Sequence, residues 1–403
     1  MNAVLLPKEF AQAVASHLSE PADQGSWFID GGAFALVLKD GTGRPLQTLR
    51  LANFFRWYKE INSLDPVIQR VVALTRGKAD TTNYDVVAPF ILPKLFDRCA
   101  IRIAMDKARR DHGDAAPGIE MYVVGDVFAI IPVVDTGMTQ EVVASNHLQD
   151  WGKSFNEVFD HSYRNLVRLS ENPQFESLID QTTNNAGIHE SMWHDGYDAS
   201  RLLIDEMIDS MNVIGDKLIS MPTTSQLVIS GSDDVMGRTK MLLNIEQAKE
   251  KDQRLPPFVL LHKDGKWSKY APAKDSTEYD VLNRVQTEYW SQAYKQQKEL
   301  LEGQAANPSE EVFIATYFPV QVKDGRVSSY ATWTEGVPTL LPKTTFIAFT
   351  AEDKVVAQGS WERVQHIMKD SLAESDVPVF PPRFKTVGFP NKRQLQWLGM
   401  ESF

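Results

Sequence analysis

Apolar residues recur along this chain at spacings of two and of four, and the two periods alternate from segment to segment. Phe10, Val14 and Leu18 lie four apart, which predicts a helix over residues 8–19 with one buried face. Trp27–Asp30 and Ala33–Leu38 flank the pair Gly31-Gly32, the pattern of a hairpin. A helix rich in aromatics is expected from Asn53 to Ile61. Two runs rich in Val and Ile, Glu120–Gly125 and Val127–Val134, break at Gly125-Asp126 and predict paired strands. One helix from Leu148 to Leu169 would bury Trp151, Phe155, Val158, Tyr163 and Leu166 as a stripe.

A polar loop is expected over Gln181–Asn185. After Asp198 a helix would bury Leu203, Ile204, Met207 and Ile208 and turn Asp205, Glu206 and Asp209 to solvent. Gln226–Ser230 reads as a strand, followed by a helix through Met241, Leu242, Ile245 and Ala248. Pro256-Pro257, directly after the charge-rich stretch Glu246–Arg254, marks the clearest boundary. Beyond it come turns at Lys263-Asp264-Gly265 and Lys323-Asp324-Gly325, a long helix over Glu278–Glu302, and strands at Val312–Tyr317, Ser328–Trp333 and Thr345–Thr350. A helix over Trp361–Ser371 precedes Pro378, Pro381, Pro382 and Pro390, which predict an extended tail. The expected fold is α/β or α+β, with mixed sheets and flanking helices in two or three domains. Residues 1–96 would form an N-terminal α+β region, 97–255 an α/β domain, and 256–403 a C-terminal α+β domain with the Pro-rich tail.

Length agrees with that division, since 403 residues exceed one ordinary core. A hydrophobic share of 43% and a charged share of 24% are those of a folded soluble chain. No apolar run approaches the roughly eighteen residues that would span a bilayer, and Met1–Glu9 reads as no signal peptide. The single cysteine, Cys99, excludes an internal disulfide framework and reads as a buried small hydrophobe in a cytoplasmic protein. A net charge of −11 argues against nucleic acid as a partner. The one dense basic spot, Lys107–Arg110, is diluted by Asp106, Asp111 and Asp114 and reads as a solvated helix end.

Three stretches could carry chemistry. Gly231–Thr239 follows a strand and opens a helix, as a phosphate-binding loop would. Its glycines stand one residue too far apart, Arg238 replaces the lysine, and Asp233 and Asp234 would repel a phosphate, so a helix cap at Asp233 or Asp234 is the simpler reading. His189 and His194 stand five apart with Glu190 and Asp195 close by, but zinc-protease histidines are four apart on a helix, and no third ligand is identifiable. With Asp195, Tyr197, Asp198 and Arg201, His194 forms a polar group that a loop could fold into a ligand site; Arg201 could pair with an acid or bind an anion. Tyr330, Trp333 and Glu335 could line an aromatic pocket, although Tyr330 and Trp333 equally suit a sheet packed on a helix.

Four pieces carry a family resemblance: His147–Gly152, Asp195–Leu203, Gly231–Asp234, and Pro257-Phe258 followed by Gly265-Lys266-Trp267. In order and spacing the region 121–270 resembles the uncharacterised bacterial YtpQ-like family, domain of unknown function 1444. Trp333–Pro342 resembles a longer branch of similar proteins in Gram-negative bacteria, as a C-terminal extension. The resemblance implies a bacterial origin and an α/β fold, and it brings no activity with it. No metal and no cofactor is expected. The function expected is that of a non-catalytic binding or protein-interaction module with a protein partner, no membrane association and a possible homo-oligomer. The alternative is a hydrolase or transferase, metal-dependent or not, built around the 189–201 loop.

Overall fold

A computed structural model describes residues 4–18, 25–76, 82–180, 185–263, 265–302, 312–322, 325–374 and 379–399. The protein is α+β, and among these residues its strands form five sheets. The first is the antiparallel sheet β1 (Ser26–Asp30), β2 (Ala35–Lys39) and β3 (Pro45–Arg50). Helix α1 (Pro7–His17) lays Phe10 and Val14 against Leu36 and Leu49 of that sheet, so the four-residue spacing marks a buried stripe as expected. Helices α2 (Ala52–Ile61) and α3 (Asp65–Thr75) close this core with Phe54 and Val67.

A single turn, α4 (Tyr84–Val87), leads into the second sheet, β4 (Ile91–Asp97), β5 (Tyr122–Val124), β6 (Phe128–Asp135) and β7 (Gln140–Val142). Strand β6 is central and buried along its whole length, with β4 on one side and β5 and β7 sharing the other. Gly125 and Asp126 both take positive φ in the connection from β5 to β6, which is why that pair breaks the apolar run. Helix α5 (Arg98–His112) follows β4 and carries Arg109, Arg110 and His112 in its last turn, so the basic spot is a helix end.

The single helix expected over residues 148–169 is two, α6 (Ser145–Trp151) and α7 (Phe155–Leu169). Gly152 ends the first in the left-handed region at φ +62°. Ser154 and Glu157 then form a reciprocal capping box that starts the second. The apolar periodicity passes through the break because both helices pack on the same sheet.

The third sheet has the order β13-β12-β10-β11-β9-β8, formed by β8 (Phe175–Asp180), β9 (Asn185–Ser191), β10 (Lys217–Ser220), β11 (Val228–Gly231), β12 (Val259–Lys263) and β13 (Lys266–Lys269). The loop expected over Gln181–Asn185 lies mostly outside the described residues, with Asn185 already in β9. Strand pairing crosses Pro256-Pro257, since β12 pairs with β10. It crosses residue 97 likewise, because β4 pairs with β6. The alternation of the pleat assigns neighbours to opposite faces. Ile219, Ile229 and Leu260 face Leu95, Phe128 and Ile130 of the second sheet. Leu218, Val228 and Val259 face away. There they meet Met241 and Ile245 of α9 (Val235–Gln247) and Leu282 and Val285 of α10 (Thr277–Glu302), after the short α8 (Asp205–Ser210).

The start of α9 accounts for the phosphate-loop look-alike. Asp234 caps it by accepting the Gly237 N–H at 3.0 Å, and Ser230 Oγ donates to the same carboxylate at 3.2 Å. A side chain on Gly237 would collide with Ser230 Oγ and with the Asp234 carboxylate. Gly237→Ala is therefore expected to lose about 1–3 kcal/mol of unfolding free energy in urea, as overpacked sites do.

The C-terminal strands are β14 (Phe313–Ile314), β15 (Phe318–Gln321), β16 (Val327–Thr334), β17 (Thr339–Pro342), β18 (Phe346–Ala351), β19 (Lys354–Ser360), β20 (Leu372–Glu374) and β21 (Arg383–Thr386). They form two sheets, β14-β17-β21-β20 and β15-β16-β18-β19. The stretch expected as an extended tail instead supplies β21 and helix α12 (Lys392–Leu398), which packs beside α11 (Trp361–Ile367). Arg383 is held inside by the Ala315 carbonyl at 2.8 Å and by Gln297 Oε1 at 2.6 Å. Pro378 lies outside the described residues. No described helix is long and apolar enough to cross a membrane.

Candidate functional site

Residues 192–204 connect β9 to α8 as a tight loop and a 3₁₀ turn, so the helix expected after Asp198 begins only at Asp205. The loop is knitted together by its own carboxylates. Asp198 accepts the N–H groups of His194 and Asp195, each at 3.2 Å, and Asp195 accepts the N–H of Tyr197 at 2.9 Å. His194 stands at φ +50° and Gly196 at φ +84°, the turn these bonds require. Arg201, whose side chain is 0% exposed, grips Asp195 through both terminal nitrogens at 2.9 and 2.7 Å. Its Nε donates to Ser170 Oγ at 2.8 Å, and its guanidinium lies 4.1 Å from the Trp193 ring centre. The alternative left open for Arg201 resolves to pairing with an acid.

The electrostatics follow from burial. Burial pushes the Asp195 carboxyl up, but the Arg201 charge and hydrogen bonds outweigh it and the net shift is downward. Asp198 moves up, from burial first and then from the neighbouring Asp195 charge. Tyr197 donates from its hydroxyl to Asp135 Oδ2 at 2.6 Å, and burial with that carboxylate holds the phenol well above its ordinary value. Gln140 Nε2 donates to both Asp135 and the Tyr197 hydroxyl at 2.9 Å, and Lys94 donates to Gln140. Arg50, at the end of β3, reaches Asp135 at 3.4 Å. This polar chain ties the first sheet to the second and to the 197 turn.

His194, Asp195, Tyr197, Asp198 and Arg201 thus come together, but as a structural clasp in which only His194 is exposed. His189 lies in β9, with Nε2 donating to the Asn212 carbonyl at 3.0 Å and Nδ1 against Ser177 Oγ at 2.7 Å. Among the described residues no group of three or more His, Cys, Asp or Glu is placed to hold a metal ion. The other expected group does not join it. Trp333 is 1% exposed, lies 5.3 Å from the Phe349 ring and belongs to the C-terminal core. Tyr330 stacks on Phe318 at 5.2 Å, and Glu335 stands in solvent.

A cleft of about 220 Å³ opens instead between α10 and the 248–257 segment. Val285, Glu288, Tyr289 and Gln292 supply its α10 wall at helical spacing. Lys249, Glu250, Arg254, Leu255 and Pro257 supply the other, and Ile245 and Pro222 also line it. The 248–257 segment is anchored by Leu255 N–H on the Pro222 carbonyl at 3.0 Å and by Thr224 N–H on the Gln253 carbonyl at 3.2 Å. Arg254 donates to the Lys249 carbonyl at 3.3 Å and to Gln292 Oε1 at 3.1 Å. Lys249 pairs with Glu288. Two larger hollows, of about 460 and 410 Å³, are more open. In the second of these, Lys217 and Lys263 are already paired with Asp209 and Asp216.

Behind the cleft the Tyr289 hydroxyl donates to Asp97 Oδ1 at 2.7 Å, and the same oxygen accepts the N–H groups of Cys99 and Ala100. Cys99 is buried, and burial pushes its thiol up, away from nucleophilic use. Burial raises the Asp97 carboxyl as well, against the Tyr289 hydrogen bond. A carboxyl whose folded value exceeds its unfolded one loses stability as pH climbs between the two. Asp97→Asn keeps all three hydrogen bonds to Oδ1 and removes the charge. Its unfolding free energy should therefore gain on that of the parent between pH 4 and pH 7, in urea titrations at both.

The cleft escapes a reading by motif because its walls lie about thirty residues or more apart in the chain. The usable signal was the mixed polarity of Val285, Glu288, Tyr289 and Gln292 on one helical face. No known protein-family profile matches the chain, and no curated protein or solved structure matches it.

Proposed function

We propose that the protein is a non-catalytic binding protein and that the cleft between α10 and residues 248–257 is its binding element. The observation that carries this is the cleft itself, a part-apolar hollow lined by a few polar groups. The polar loop that an enzyme would have needed supports the same reading from the other side. Arg201 is buried, and it binds Asp195 through both terminal nitrogens while Asp198 accepts two backbone N–H groups, so these side chains face the turn they hold.

Native mass spectrometry of the purified protein, set against its denatured mass, tests the proposal. The expected result is a small molecule retained by the parent and lost from Gln292→Trp, which fills the cleft from an exposed position. Turnover of an ester, amide or phosphate ester that is abolished by His194→Ala and untouched by Gln292→Trp would overturn it.

A further inference from the structure

We infer that the cleft takes a small zwitterion with an apolar body, an apolar α-amino acid being the plainest case. The inference rests on the binding reading above and narrows it to a ligand class. Two residues of opposite charge on the same wall of the cleft, Glu250 and Arg254, form no ion pair among the described residues. The remaining charges of the cleft, Lys249 and Glu288, neutralise each other.

Arg254 is also held in place. Its Nη1 donates to the Lys249 carbonyl in its own wall, and its Nη2 donates across the cleft to Gln292 of α10. A guanidinium has five N–H donors, so three remain for a carboxylate, and a fixed fork loses little freedom on binding. Glu250 offers acceptors only, which suits an ammonium. Ile245, Leu255, Pro257 and Val285 give the cleft apolar lining for the ligand's body. A volume of about 220 Å³ lies below the roughly 300 Å³ at which drug-sized pockets begin, so the body must be small. A plain anion would leave Glu250 facing it, and a plain cation would face Arg254; the zwitterion satisfies both.

Calorimetric titration of the full chain with L-leucine, L-methionine and L-phenylalanine tests this, alongside two leucine analogues, 4-methylpentanoate and 3-methylbutylamine. At least one amino acid is expected to bind, and for leucine each analogue should be weaker by about tenfold or more, as loss of a charged hydrogen-bonded group implies. Glu250→Gln should erase the preference for leucine over 4-methylpentanoate, and Arg254→Gln its preference over 3-methylbutylamine. Both residues are exposed, so circular dichroism of the variants should match the parent. If an analogue binds as tightly as leucine and the variants change nothing, the zwitterion inference falls while the cleft remains the binding element. If none of the three amino acids binds at millimolar concentration, the inference is overturned, and retention of another molecule in native mass spectrometry decides the wider reading separately.

Discussion

Arg201→Ala should lose about 3–5 kcal/mol of unfolding free energy, the range for breaking a buried ion pair by removing one partner. The reason is not the strength of the pair but what its loss leaves behind. Asp195 is largely buried beside Asp198, and without the guanidinium two carboxylates would share one turn with no cation against them. Ser170 Oγ and the face of Trp193 lose their partner at the same time. Asp195→Asn in the Arg201→Ala background retains an oxygen that can accept the Tyr197 N–H and removes the stranded charge. The double variant should therefore be more stable than Arg201→Ala, and the two changes far from additive. Urea unfolding of the four proteins checks both points. An Arg201→Ala variant within about 0.5 kcal/mol of the parent, as for a surface change, would show that the clasp holds nothing.

Trp333→Ala should cost a similar amount, about 3–5 kcal/mol, this time through cavity formation. The indole is fully enclosed in the cluster of Ala331, Leu341, Ile347, Phe349 and Trp361 that seals the C-terminal sheets. Glu335→Ala, two residues on and in solvent, should shift stability by no more than about 0.5 kcal/mol. In thermal melts the two variants separate a core role from a pocket role for this stretch, because pocket residues would both be tolerated.

Much of the framework was legible because period-two and period-four burial leave direct marks on the sequence. The β5–β6 hairpin, α2, and the buried stripe of α1 fall within a residue or two of their expected bounds. The break between α6 and α7 was also present, as Gly152 followed by Ser154 and Glu157, but a continuous apolar stripe outweighed those two local signals. Partner choice was less accessible. Nothing local distinguishes an Arg201 that seeks an anion from one that meets Asp195 six residues away, since both need the same charge. Pro256-Pro257 ended a charge-rich run, yet β12 beyond it pairs back onto β10, because strand pairing is set by a face that only the assembled sheet presents. The cleft is the extreme case, assembled from α10 and a connecting segment whose meeting is tertiary.

We assign a structural role to the 193–201 turn and ligand binding to the 248–257 wall. Hydrogen exchange with and without L-leucine tests this assignment most directly. The amides of His194, Asp195 and Tyr197, each bonded to a carboxylate, should exchange slowly in the free protein and be unchanged by the amino acid, while amides over residues 248–257 gain protection. Fast exchange at 194–197 in the free protein, slowed on addition of the amino acid with no change over 248–257, would contradict it.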